Sequence, residues 1–530
     1  MFYKKKTVLL AVLLCCVITA SAQFRIHLER RSPLAKLSAA ELAIENLYVD
    51  SVDENKLVED AIRGMLDKLD PHSAYTTPSE TKELNEPLNG DFDGIGVQFN
   101  MMNDTLIVIQ PVVNGPSEKV GIIAGDRIVA VNDTAIAGVK MPREQIMKRL
   151  RGPKGTKVDL TIVRKGVSGV LHFMVIRDRI PLKTVDASYM IRPGIGYIRL
   201  ESFGLHSPDE VSQSIDSLQH KGMKDLILDL QENGGGYLQS AVQIAQQFLP
   251  DHDLIVYTQG RHSPREEFRS DGKGKMLKGK VVVLIDELSA SAAEIVTGAL
   301  QDQDRAIVVG RRSFGKGLVQ RPIPFPDGSM IRLTVAHYYT PSGRCIQKPY
   351  KKGDLKDYEM DLDHRFKHGE FTNRDSIHFD PSQKYYTLRK HRLVYGGGGI
   401  MPDYFVPLDT LQYTAFYRQL LAGNSIYTQT LSYLDSHRKE LRAKYPVFES
   451  FRKNFVTPQV LMDSIVADGA RQKIKPKDDD ELQKTIPTMS VQLKALIARD
   501  LWNMDAYFEI MDESNHTVQK ALQLLTEKNK

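Results

Sequence analysis

The sequence predicts a multidomain chain of α+β class, with helical regions at both ends, a glycine-turned β unit and an α/β layer between them. Three observations carry this. At 530 residues the chain is too long for one hydrophobic core. Residues 88–178 set short strands between glycine turns, and from 194 onward strands and helices alternate, as in a layer with at least partly parallel strands. The boundaries expected are 1–22, 24–85, 88–178, 180–408 with a polar insertion at 345–398, and 409–530.

In order along the chain, Lys4-Lys5-Lys6 precede the apolar stretch Val8–Ile18, and Ala20-Ser21-Ala22 supply small residues before Gln23. That is the three-part pattern of a secretory signal peptide, with an apolar run short for a bilayer span. An uncleaved, membrane-associated anchor is the alternative. Cys15 and Cys16 follow Leu14 and Cys15, where a lipoprotein site wants a small residue. Residues 24–85 read as helical, from apolar positions Leu42, Ile44, Leu47 and then Leu57, Ile62, Met65, Leu66 and Leu69. Asp70-Pro71-His72-Ser73 ends that helix, since proline disfavours helical geometry in the preceding residue. In 88–178 the landmarks are Gly94-Ile95-Gly96-Val97-Gln98-Phe99, strands Thr105–Gln110 and Val158–Arg164, the turn Gly121–Asp126, and a single helix, Arg143–Leu150.

The α/β layer is expected to hold strands at 195–201, 225–230, 254–259, 281–286 and 305–310, with helices at about 207–221, 237–249 and 291–302. Strands 318–325 and 329–339 flank the turn Pro326-Asp327-Gly328. The tail from 409 is mostly helical, broken by the charged linker Lys473–Asp480.

Composition is that of a soluble globular protein, 42% hydrophobic and 26% charged. Removing the leader takes away three of 71 basic residues and none of the 66 acidic ones, leaving 68 against 66. A balance so near zero gives no electrostatic case for nucleic acid as partner. Of three cysteines only Cys345 lies outside the leader, so no intramolecular disulfide is expected in the processed chain.

Two runs 25 residues apart carry the chemistry. Ser289-Ala-Ser291-Ala-Ala-Glu294 follows strand Val281–Asp286, and Gly315-Lys316-Gly317-Leu-Val-Gln320 follows strand Ala306–Gly310. Strand ends in α/β sheets are where catalytic groups collect. A serine at one and a lysine at another suggest a nucleophile activated by an amine. Ser291 and Glu294 also spell a capping box, in which the hydroxyl merely caps a helix, and Ser289 competes as nucleophile. At a strand-to-helix turn, the N–H of Ala292 would sit at the positive helix end, where it can stabilise an oxyanion. A lysine acts as base only if its pKa is brought down from about 10.4. Gln320 offers a neutral partner for the amine, where an acid would raise that pKa. Asn233-Gly234-Gly235-Gly236 follows another strand, and its glycines permit the close approach a second oxyanion donor needs; an ordinary glycine turn is the alternative.

Other motifs fail on context. Gly310–Gly317 resembles a phosphate-binding loop but lacks the Ser or Thr after the lysine and leads into a strand. Ser313-Phe-Gly-Lys316 has the S-x-x-K spacing but none of its companions. His364 and His368 lack the glutamate of zinc peptidases and read as solvated, so no metal and no cofactor is expected.

These residues resemble the C-terminal processing peptidases, or tail-specific proteases, of the serine–lysine dyad class. The likeness spans roughly 40–345 and Gly398–Asp403, through Leu69-Asp-Pro-His-Ser73, Gly94-Ile-Gly96, Gly121–Asp126, Arg151-Gly-Pro-Lys-Gly155-Thr156, the serine run and Gly315-Lys-Gly317. The resemblance implies a PDZ-like domain and a crotonase/Clp-protease-like peptidase core. It implies Ser291 as nucleophile, Lys316 as general base, Gln320 as its positioning partner, and the N–H groups of Gly235 and Ala292 as oxyanion donors. It implies further that Gly94, Ile95, Gly96 and Val97 hold the C-terminal carboxylate of a protein or peptide substrate, with apolar substrate residues beside Ile95, Val97 and Phe99. A periplasmic location and an adaptor protein also fall within it, and the oligomeric state stays open. Ala293 replaces the family's third serine, and Gln231 stands where relatives often carry arginine. The rival reading is a non-catalytic PDZ peptide-binding scaffold on a peptidase-like platform.

Overall fold

A computed structural model describes residues 32–102, 104–410 and 413–527. The leader pattern at 1–22 lies outside the described residues. The chain divides into two compact units: residues up to Pro78 with Arg321–Thr334 and Tyr350–Tyr358, and Ser79–Gln320 with Val335–Pro349 and the remainder from Glu359.

In the first unit, Ser32 and Asp53 cap helices Pro33–Leu47 and Glu54–Leu66 by accepting the N–H of Ala35 and Lys56. Beyond the Asp70–Ser73 turn predicted to end the helix, the region holds a strand that the sequence reading missed, Ala74–Thr76, antiparallel to Met330–Arg332. The Asp-Pro-His-Ser turn therefore redirects the chain into a sheet. Asp70 makes that turn by accepting the N–H groups of His72 and Ser73 and the hydroxyls of Ser73 and Thr334.

The second unit holds the rest. The PDZ domain is an antiparallel sheet ordered Val97–Met102, Thr105–Pro111, Arg127–Val131, Lys157–Val163, Leu171–Ile176. Helix Arg143–Leu150 appears where the periodicity puts it, joined by a four-residue helix, Pro116–Lys119, that the sequence reading missed. Alternation sorts the strand residues: Leu106 and Val108 enter the domain core with Ile128 and Leu160, while Ile107 and Ile109 point the other way. The ribbon Asp91–Gly94 with Asp178–Pro181 closes the domain.

The peptidase core is a six-stranded sheet ordered Val185–Arg192, Ile195–Leu200, Asp225–Asp229, Val281–Ile285, Ile307–Gly310, Tyr404–Phe405, parallel except for the first pair. Both faces are covered, so its strands are nearly continuous apolar runs. Leu226, Leu228, Val281, Val283 and Ile285 face the core shared with helices Ser207–His220, Leu238–Gln246 and Ala292–Asp302. Ile227, Val282, Leu284 and Val309 face the other way, against Val518, Ala521, Leu522 and Leu525 of the last helix, His516–Thr526.

Two expectations change. Strand Leu254–Gln259 does not join this layer; it pairs antiparallel with Glu266–Arg269 and with Tyr339 and its neighbours in a separate sheet. The charged linker is shorter than read, because Asp478 caps helix Asp479–Leu501 by accepting the N–H of Glu481. Asp479, Asp480 and Glu481 thus fall in its first turn, where the helix dipole favours acids. That helix, with Ala415–Ala422, Ser425–Lys444, Phe448–Asn454, Gln459–Arg471 and Met504–Met511, surrounds a core of its own. No helix among the described residues is long and apolar enough to cross a membrane.

Candidate active site

The site lies at the C-terminal ends of three adjacent parallel strands, Asp225–Asp229, Val281–Ile285 and Ile307–Gly310, from which the glycine, serine and lysine loops emerge. Ser291 is the residue before helix Ala292–Asp302 and has φ 55° and ψ −112°. A side chain rarely occupies that conformation, and a strained strand-to-helix turn is a known way to present a nucleophilic hydroxyl. Ser291 is partly exposed. Ser289 is not: its buried hydroxyl donates to Leu230 O at 2.7 Å and accepts the N–H of Asp286 at 2.9 Å. Its groups are spent on the turn.

Glu294 has the role the sequence reading missed. One oxygen, Oε2, accepts the N–H of Ser291 and the N–H of Lys316, each at 2.8 Å; the other accepts Ser313 Oγ at 2.5 Å and Gly315 N at 2.7 Å. The carboxylate is fully buried. Burial pushes its pKa up, and the hydrogen bonds from Ser313, Lys316, Gly315 and Ser291 oppose that shift. The backbones of Ser291 and Lys316 therefore meet at a single atom. Tyr338 ties them again, its hydroxyl 3.1 Å from Ser291 O and 2.5 Å from Lys316 O. Half of the Glu294 arrangement was legible as the S-x-x-E capping box. Tyr338, 47 residues on, gave no local signal.

Lys316 Nζ donates to Gln320 Oε1 at 3.3 Å. The polar insertion braces this loop: buried Arg365 donates to the carbonyls of Arg312 and Ser313, and Lys348 N donates to Gly315 O. Ile400, just after the Gly396–Gly399 run, donates its N–H to Ser313 Oγ. His364 and His368 are exposed.

The glycine loop is fixed against the serine loop. Asp286 Oδ1 accepts the N–H of Glu232, Leu288 and Ser289, and Ala290 N donates to Asn233 O. Burial pushes the Asp286 carboxyl up to about 6. Gly235 has φ 99°, and a Cβ there would lie 2.8 Å from Ser291 Cβ and 3.0 Å from Ala292 N. Its missing side chain keeps open the space between the hydroxyl-bearing carbon and the first N–H of the helix. The Gly235 N–H itself donates to Asn233 Oδ1 at 2.8 Å. Gly235 is thus corrected from paired donor to the residue that makes room; the Ala292 N–H stays at the mouth of that space. Gln231 Oε1, by contrast, is buried without a hydrogen-bond partner among the described residues.

In the PDZ domain Gly96 has φ 69°, and the carbonyl of Ile95 accepts both the N–H and the hydroxyl of Ser117. The Ile95 side chain is buried in the domain core, so it cannot line an open pocket for substrate; Val97 and Phe99 pack only partly buried beside that core.

Residues 194–358 match peptidase family S41, and 94–171 match a PDZ domain. Residues 19–80 match the activating protease CtpB N-terminal domain, and 416–503 a family of unknown function. A carboxy-terminal-processing protease of Bartonella bacilliformis is 39% identical over 310 residues, which cover 57% of this chain and 70% of that one. The carboxy-terminal processing protease CtpA of Bacillus subtilis is 35% identical over 348 residues, 64% of this chain and 74% of that one. CtpB of the same organism is 36% identical over 323 residues, 60% and 67%.

Proposed function

The chain belongs to the carboxy-terminal processing proteases of peptidase family S41 with a PDZ domain, and from that premise we propose that it is an exported endopeptidase that takes unstructured C-terminal tails and cleaves them through an acyl-enzyme on Ser291. The observation that carries this is the single Glu294 oxygen shared by the N–H groups of Ser291 and Lys316, which sets a strained serine beside a lysine loop.

In the proposed mechanism the neutral Lys316 amine removes the proton of Ser291 Oγ as the oxygen attacks the substrate carbonyl. The charge that develops on the carbonyl oxygen is met by the Ala292 N–H at the start of its helix, in the space Gly235 leaves. Lys316 then gives the proton to the leaving amine. In deacylation the Lys316 amine takes a proton from water as the water attacks the acyl carbonyl, and returns it to Ser291 Oγ as that oxygen leaves. Gln320 orients the amine without adding negative charge, which would hold the proton on. Gly94, Gly96 and Val97, with the backbone of Ile95, receive the substrate's terminal carboxylate, and the edge strand Val97–Met102 pairs with its last residues. The Lys4–Ala22 pattern supports export to the periplasm.

The test is cleavage of a flexible protein bearing an apolar C-terminal tail. Ser291→Ala and Lys316→Ala are expected to abolish turnover while the tail still binds. Lys316→Arg is expected to fail as well, since a guanidinium stays protonated. Tail binding by the unaltered protein with no turnover of any flexible substrate would return the scaffold reading.

A further inference from the structure

The helices from 415 to 511 contribute nothing to the chemistry described above, yet one of them touches the PDZ domain at a defined place. Asp435, on helix Ser425–Lys444, accepts Arg127 Nη2 at 2.8 Å from PDZ strand Arg127–Val131. Lys165, at the turn after the next strand, reaches the Asp435 carboxylate at 3.4 Å and its carbonyl at 3.2 Å. Asp435 is mostly covered. Burial alone would raise its pKa, but bonding to Arg127 and the charges of Arg127 and Lys165 hold it below the usual carboxylate range.

Beside this ion pair lies an apolar contact. Ile107 and Ile109, the residues of strand Thr105–Pro111 that turn away from the PDZ core, are buried against Leu431, with Met102 and Tyr427 packed around them. The helical side is made rigid from behind. Arg499 of helix Asp479–Leu501 donates to the Tyr427 hydroxyl at 3.0 Å, lies over its ring and is paired with Asp500. An isolated PDZ sheet would leave the apolar side chains of Ile107 and Ile109 in water.

We propose that the C-terminal helical region is a docking platform for the PDZ domain. It seats the back of the PDZ sheet through Asp435 and Leu431 and so fixes where a bound tail is delivered. Helix Arg143–Leu150 packs through Ile146 and Leu150 into the opposite, core side of the sheet. Docking therefore uses the face of the sheet opposite that helix, and touches strand Val97–Met102 at its far end, Met102. The platform orients a loaded PDZ domain and does not compete for the tail. This rests on the proteolytic reading for its consequence but not for the docking itself.

The experiment uses the full chain, with fluorophores on the PDZ domain and on the helical region to read their proximity in Ser291→Ala protein. In active protein, cleavage rates are compared for a tail-bearing flexible protein and for a short peptide without the tail. Asp435→Arg, and separately Arg127→Asp on the other partner, are expected to lower the proximity signal. Each should cut kcat/KM for the tail-bearing protein about tenfold, the scale of a broken pair within one contact network. Tail affinity and short-peptide cleavage stay at wild-type values. Combining Asp435→Arg with Arg127→Asp and Lys165→Glu, which reverses every charge, is expected to restore both signals. Wild-type proximity and tail-dependent rate in the single variants would overturn the platform, as would a reversal that restores neither. If the unaltered protein cleaves nothing, the proteolytic reading fails, while the proximity arm still reports on docking.

Discussion

Ser289 and Ser291 stand two positions apart and do different work. The Ser289 hydroxyl is buried between Leu230 O and the N–H of Asp286, so Ser289→Ala is expected to lower the unfolding free energy by about 1–3 kcal/mol, the cost of orphaning buried groups. Denaturant titration measures this, and the variant should keep its activity. Ser291→Ala should be as stable as the parent and inactive. Gly235 is held to glycine on two counts, its positive φ and the 2.8 Å a Cβ would leave to both Ser291 Cβ and Ala290 O. Gly235→Ala is expected to reduce kcat by about 100-fold or more, in line with a lost oxyanion contact, and steady-state kinetics check it. The strand-to-helix turn at Ser291 and the pairing of Lys316 with Gln320 were legible, because both depend on residues a few positions apart. What local sequence could not decide was whether Ser291 caps the helix or presents its hydroxyl. The structure shows the capping box, with the Glu294 carboxylate accepting the Ser291 N–H while Ser291 stays partly exposed.

At the scale of elements, the site is three loops tied by the side chains of Glu294, Tyr338 and Asp286. Strand Met330–Tyr339 brings the Tyr338 hydroxyl to the carbonyls of Ser291 and Lys316. Tyr338→Phe keeps the ring and removes the tie, so kcat is expected to fall about 10- to 100-fold with KM little changed, as for a small misplacement of reacting groups. A rise in KM of the same size with kcat unchanged would assign Tyr338 to substrate binding instead. Asp286 joins the glycine and serine loops, and its folded pKa of about 6 lies above the unfolded value of about 3.9. The folded state therefore holds this proton more tightly, and stability from this group is present below about pH 4 and lost as pH rises through 6. Asp286→Asn retains an oxygen for the same N–H donors and removes the ionisation. Its stability relative to the parent is expected to increase between pH 4 and pH 7, by up to about 2 kcal/mol; urea melts at both pH values check the sign. Helix Arg143–Leu150 and strands such as Val281–Ile285 could be read from periodicity, since their patterns are local. The partners of Leu254–Gln259 could not, because a strand's apolar pattern does not say which sheet it enters. Nor could the bracing role of 345–398, where Arg365 works through contacts about 50 residues away.

At the scale of the molecule, the last helix completes the peptidase core. Val518, Ala521, Leu522 and Leu525 cover one face of the central sheet, which the sequence left as a helical tail without a stated purpose. The PDZ domain and the core are separate folding patterns that recognition must link. Gly96, at φ 69° with Ile180 2.9 Å from any added Cβ, fixes the turn of the loop proposed to take the carboxylate. Gly96→Val is expected to weaken binding of an apolar tail, read by fluorescence anisotropy, and to slow cleavage of tail-bearing protein while sparing a short peptide. Equal losses on both substrates would separate the PDZ domain from recognition.

The central claim is that Ser291 is the nucleophile and that Lys316 activates it. Intact-mass analysis after treatment with an acylating, serine-directed probe tests this most directly. The expected result is one adduct per chain, mapped to Ser291 and lost in Lys316→Ala. An adduct on Ser289, or one that forms on Ser291 as fast without the Lys316 amine, would contradict the account.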